Sequence, residues 1–90
     1  MSEPRLRRGE HVLWRRSLDA VLLLPVGAAE PLTLAGTGPD VWELLAAPAS
    51  APELARELGA RFDADPATVE ADLAPVLDRL LALGAIEPVP

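Results

Sequence analysis

The 90-residue sequence predicts an α+β fold, a three-stranded antiparallel sheet followed by three helices in the order βββααα. Three observations point there. Apolar runs of strand length crowd the first third of the chain, helical periodicity governs the rest, and a Gly-Thr-Gly turn at 36–38 separates the two regimes. Half of the residues are hydrophobic, enough for a modest core in one domain. There is no cysteine, which removes disulfide frameworks, zinc knuckles and thiol nucleophiles.

Residues 11–16, HVLWRR, read as the first strand, with Val12 and Trp14 on one face and Leu13 and Arg15 on the other. After a turn at 17–19, AVLLL at 20–24 reads as a second strand. Its unbroken apolar character predicts a central position or burial on both faces. A loop over 25–30 leads to the third strand at 31–35. Leu32 and Leu34 share one of its faces, and Pro31, which has no N–H to donate, suits a strand start or a sheet edge.

The first helix begins near Gly38, with Pro39 in its first turn and Val41, Trp42, Leu44 and Leu45 as its apolar side. Ser50 and Glu53 form a capping box for a second helix that runs to about Phe62 and buries Leu54, Leu58 and Phe62. Asp65 caps a third helix that reaches Leu83 and stops at Gly84. Along it Val69, Leu73, Val76, Leu80 and Leu83 form a stripe widened by Leu77 and Leu81, with Leu73, Leu77 and Leu80 expected to pack inward. Asp72 and Arg79 flank the stripe. The chain divides into a flexible basic segment at 1–10, a domain at 11–87 and a tail at 88–90, with Ile86 folded back on the core.

Charge narrows the function. The net charge is -6, yet the first 16 residues carry five arginines against two acids, leaving three arginines against twelve acids afterwards. Phosphate backbones are bound by cations, so the acidic body is a poor nucleic-acid surface. A DNA-binding winged helix shares the topology, but Arg79 stands alone on the third helix against Asp65, Glu70, Asp72 and Asp78. The most apolar run, 20–29, is far too short to span a membrane and is broken by Pro25 and Gly27. A cytoplasmic protein is expected.

Catalytic patterns are thin. A phosphate loop would end in Gly-Lys-Ser/Thr, and the chain has no lysine. A dinucleotide fingerprint needs a third glycine and a long βαβ unit, both missing around Gly36 and Gly38. His11 is the one histidine, with no second ligand for a metal. Ser2, Ser17 and Ser50 fall at a terminus, a turn and a cap, and the paired acids near residues 63–72 suit a helix entrance. No enzyme, cofactor or metal is expected.

Binding is the reading that survives. A short sheet with an open edge accepts an extended peptide as an added strand. If the third helix packs beside the third strand, Leu32, Leu34, Val69 and Val76 floor a cleft with Asp72 and Arg79 at its rim. Periodicity alone leaves this balanced against an edge merely blunted by its shortness and its proline. A scaffold whose groove is filled by a second copy is a further reading.

Three segments carry a resemblance: LAGTGPDVWELL at 34–45, ELAREL with FDADP at 53–58 and 62–66, and VEADL with LDRLLALGAIE at 69–73 and 77–87. In order and spacing they resemble the PqqD family, small peptide chaperones whose fold is shared by RiPP recognition elements. The resemblance implies a winged helix-turn-helix-like domain without catalytic activity. Such a domain binds the leader of a ribosomally made precursor peptide and presents it to a modifying enzyme: a radical SAM enzyme, a cyclodehydratase or a leader protease. It further implies leader contacts at Leu32, Thr33 and Leu34 on the third strand and at Val69, Asp72, Leu73, Val76 and Arg79 on the third helix. A discrete monomer or homodimer acting in trans is expected, with no nucleic acid or membrane as partner. The long basic N-terminus is less typical of the family.

Overall fold

In the computed structural model, residues 4–25, 27 and 29–90 are described. Residues 1–3 of the expected flexible segment, and Val26 and Ala28 of the expected loop, lie outside them. The fold is α+β, with strands β1 (Arg5–Arg8), β2 (Leu13–Ser17), β3 (Ala20–Leu24) and β4 (Leu32–Leu34), helix α1 (Gly38–Leu44), strand β5 (Ala49–Ser50), helices α2 (Ala51–Phe62) and α3 (Pro66–Ala82), and strand β6 (Ile86–Pro88).

The expected sheet is β2-β3-β4, antiparallel throughout, with β3 in the centre. Its register pairs Trp14 with Leu23, Arg16 with Val21, Val21 with Leu34 and Leu23 with Leu32, so these residues share the face toward the helices. Val21 and Leu23 are fully buried. Leu22 is half-buried and Leu24 exposed, so β3 takes the central position its composition predicts, with one face buried and not both. Among the described residues no further layer packs on the second face.

A second antiparallel sheet, β5-β1-β6, has no counterpart in the sequence reading. Residues 5–8 are not a flexible segment: Leu6 is 6% exposed and belongs to the core. Arg5 pairs with Ser50, and Arg7 with Glu87, both by strand register and by a 2.9 Å ion pair. Nor is the C-terminus a free tail, since Pro88 lies in β6 and the Val89 N–H donates to the Arg5 carbonyl at 2.8 Å. Ile86, 1% exposed, sits in the core as expected.

Arg8 joins the two sheets. Its guanidinium lies 4.7 Å from the Trp14 ring and 4.8 Å from the Trp42 ring, and those rings meet edge to face with centroids 5.8 Å apart. It also donates twice to the Trp42 carbonyl, at 3.0 and 2.6 Å. That carbonyl lies in the last turn of α1, where helix oxygens lack intrahelical partners and a cation is favoured. Burial pushes the Arg8 pKa down, opposed by the Glu43 carboxylate, yet an arginine stays charged at any working pH.

The helices follow their sequence signals closely. Ser50 and Glu53 form the full capping box, Ser50 accepting from the Glu53 N–H at 3.3 Å and donating its own N–H to Glu53 Oε1 at 3.0 Å. The backbone hydrogen bond from Ser50 holds the Glu53 carboxyl below its usual range. Asp65 occupies the N-cap of α3 without a side-chain capping bond, its carboxylate accepting from Thr68 Oγ1 instead. At the far end Gly84 adopts φ +74°, as the helix stop requires. Leu73, Leu77 and Leu80 pack inward, with Trp42, Leu45, Leu54 and Leu58 around them. Phe62 does not: it is 53% exposed. It ends α2, and Asp63 turns left-handed at φ 51°, so the last turn projects beyond the core.

Leu6 separates a core strand from a flexible arm. Leu6→Ala removes a buried side chain and is expected to lower unfolding free energy by about 2–5 kcal/mol, measured by urea denaturation. No change would return residues 5–8 to a flexible arm.

Candidate functional site

β4 is an edge strand, bonded to β3 on one side only. Beside it runs α3, and the sequence-predicted residues divide between two neighbouring depressions. The first, about 190 Å³, is lined by Leu32, Thr33 and Leu34 of β4, by Ala35, Thr37 and Gly38 of the following turn, and by Val76, Arg79 and Leu80 of α3. The second, about 210 Å³, is lined by Val69, Asp72 and Leu73 of α3 with Leu58, Phe62, Ala64 and Thr37. Thr37 lines both, so the two form one groove along α3.

The spacing on α3 explains the arrangement. Val69, Asp72, Val76 and Arg79 recur at three and four residues and lie on one flank of the helix, next to the buried Leu73, Leu77 and Leu80. Asp72 and Arg79 are seven residues apart, about 10 Å along the axis, so the groove carries a negative and a positive station. Both side chains are exposed, and neither has an ion-pair partner among the described residues.

Not all eight predicted residues play the same part. Leu32, Val69 and Val76 are half-buried and offer apolar surface, and Thr33 is exposed at the edge. Leu34 and Leu73 are 7% and 3% exposed, so their side chains mainly serve the core beneath the groove. Thr37 and Phe62 were missed. The exposed Phe62 is legible only once α2 is seen to end there, and Thr37 only once the turn is seen to fold against α3.

The Gly-Thr-Gly turn is a joint between sheet and helices. Gly36 needs its positive φ of 64°. Gly38 is required for closeness: a Cβ there would lie 2.9 Å from Leu34 Cβ. Among the described residues no group of three or more His, Asp or Glu side chains could hold a metal ion, and no helix is long and apolar enough to cross a membrane.

An α+β domain with an open sheet edge and an adjoining helical groove has the geometry that strand addition of an extended peptide uses. The family model described as coenzyme PQQ synthesis protein D matches residues 20–86, and the chain belongs to that PqqD family. Among solved structures it is similar to the solution NMR structure of the PqqD truncation of Methylobacterium extorquens PqqCD, a functional and stand-alone RiPP recognition element. The two are 27% identical with a TM-score of 0.74, over 92% of this chain and 88% of that one. Among curated proteins none matches.

Gly38 tests the joint. An alanine at an ordinary helix position gains stability by about 1 kcal/mol over glycine, but the Leu34 backbone-linked Cβ has nowhere to move. Gly38→Ala is therefore expected to lower the thermal midpoint and shift the amide resonances of residues 32–37; a rise in the midpoint would refute the close approach.

Proposed function

We propose that the chain is a non-catalytic adaptor that binds the leader of a ribosomally synthesised precursor peptide and delivers it to a modifying enzyme or leader protease. The leader adds as a strand to β4 and lays side chains into the groove along α3. The observation that carries this reading is the groove itself, in which the open edge of β4 faces Val76 and Arg79 across a depression of side-chain size. Family membership and the likeness to a RiPP recognition element support it.

The backbone of an edge strand supplies affinity to any extended peptide, and flanking pockets supply selectivity. Here the pockets favour apolar leader residues, and Asp72 and Arg79 fix register by pairing with opposite charges. Tethering raises the local concentration of the attached core peptide beside the enzyme, to the millimolar range for a short flexible connection. Ordering of the leader on binding moderates affinity and allows release. Such an adaptor acts in the cytoplasm, where precursors are made, and takes neither nucleic acid nor membrane as partner. The charge of α3 speaks against DNA, since Arg79 is its one cation beside Glu70, Asp72 and Asp78.

Fluorescence polarisation with labelled leader peptides from precursors encoded beside this chain tests the reading. Saturable binding in the micromolar range or tighter is expected, weakened at least tenfold by Val76→Asp and several-fold by Arg79→Glu, with unchanged circular dichroism. Leu34 is too deeply buried for this purpose, because an aspartate there would disturb the core. Unchanged affinity in both variants would refute the groove.

A further inference from the structure

Among the described residues no element packs on the outer face of the β2-β3-β4 sheet, where leucines predominate. Strand register places Leu13, Arg15 and Ser17 of β2, Ala20, Leu22 and Leu24 of β3, and Thr33 of β4 on it. Leu13 is 68% exposed and Leu24 39%. With Leu22 and Pro31 they line a shallow depression of about 280 Å³ whose cation is Arg15. Arg15 has no ion-pair partner among the described residues, in contrast to its neighbour Arg16, which reaches Glu43 on the opposite side of the sheet at 3.2 Å.

A second observation lies at the tip of the β2–β3 hairpin. Leu18 is 93% exposed and holds φ 54°. A two-residue hairpin turn prefers glycine, asparagine or aspartate at a positive φ, and leucine there is unfavourable both in its backbone and in its contact with water. Strain of this kind at an exposed position points to use.

We propose that the outer face of the β2–β3 ribbon, from Leu13, Leu22 and Leu24 past Arg15 to the tip at Leu18, is the docking surface for a partner protein that presents an apolar patch bearing a carboxylate. Charge selects the occupant. No outward-facing position of β2, β3 or β4 is acidic, the neighbouring acid being Asp19 of the turn, so a second copy applied by this same face with Arg15 at the centre of the contact would bring apolar surface and arginine to arginine. An acidic, apolar partner satisfies Arg15 and covers the leucines. Given the leader reading above, the face has a further property. Alternate side chains of a strand added to β4 project on this same side, so a partner docked here would touch the loaded leader as well as the chain and would bind the complex more tightly than the free adaptor.

The test uses the purified modifying enzyme encoded with this chain, its affinity measured by biolayer interferometry with and without leader peptide. Leu18→Asn relieves the turn and is expected to keep or raise the thermal midpoint while weakening enzyme binding at least fivefold. Arg15→Glu is expected to weaken it at least tenfold, and leader affinity should stay within twofold in both. Enzyme binding that is absent in the wild type, or unchanged in both variants, overturns the docking surface even where leader binding is intact. Loss of leader binding in the wild type would instead overturn the adaptor reading. Sedimentation showing a wild-type dimer that Arg15→Glu dissociates would assign the face to a second copy and overturn the proposal likewise.

Discussion

The close approach of Gly38 to Leu34 is the constraint on which the arrangement of sheet and helices turns. Because Gly38 has no Cβ, the first turn of α1 lies directly against the end of β4. Leu34 is thereby driven into the core, leaving Leu32 and Thr33 on the open edge. Thr37, exposed beside Gly38, lines both depressions along α3. A glycine-rich turn that looks like a phosphate cradle is thus explained by packing, and the packing in turn shapes the groove.

Arg8 performs a comparable service at the other end of α1. One guanidinium stacks on two tryptophan rings and caps the Trp42 carbonyl. It thereby ties β1 to the hairpin and to the first helix at once, which a lysine, with a single point of charge and no planar face, would not reproduce. α1 is thus held at its C-terminal end by Arg8 and lies directly against Leu34 at its N-terminal end. A preformed groove spares a ligand part of the ordering cost that binding otherwise carries.

Much of this was legible in the sequence, and the omissions have physical causes. The β2-β3-β4 sheet and the three helices follow from alternation, periodicity, the Ser50–Glu53 box and the Gly84 stop, all of them local signals. Strands β1, β5 and β6 are two to four residues long and pair across distances such as Arg5 to Ser50 and Leu6 to Pro88. No local pattern encodes that, and RLRR reads as charge before it reads as a strand. On α3 the groove flank was readable because Val69, Asp72, Val76 and Arg79 keep helical spacing. Phe62 was misread for the same reason, since its spacing from Leu54 and Leu58 is helical while its burial depends on where α2 ends. The free outer face was hidden because a run such as AVLLL looks alike whether one side or both are covered.

β2 and β4 are both free margins of the same sheet, and either edge could receive a strand. Isotope-edited NOE spectroscopy of the chain bound to its leader addresses this directly. Cross-strand contacts between leader backbone protons and residues 32–34, with side-chain contacts to Val69 and Val76, are the predicted result. Contacts to residues 13–17 instead, or a helical leader lying in the groove without backbone contacts to β4, would contradict it.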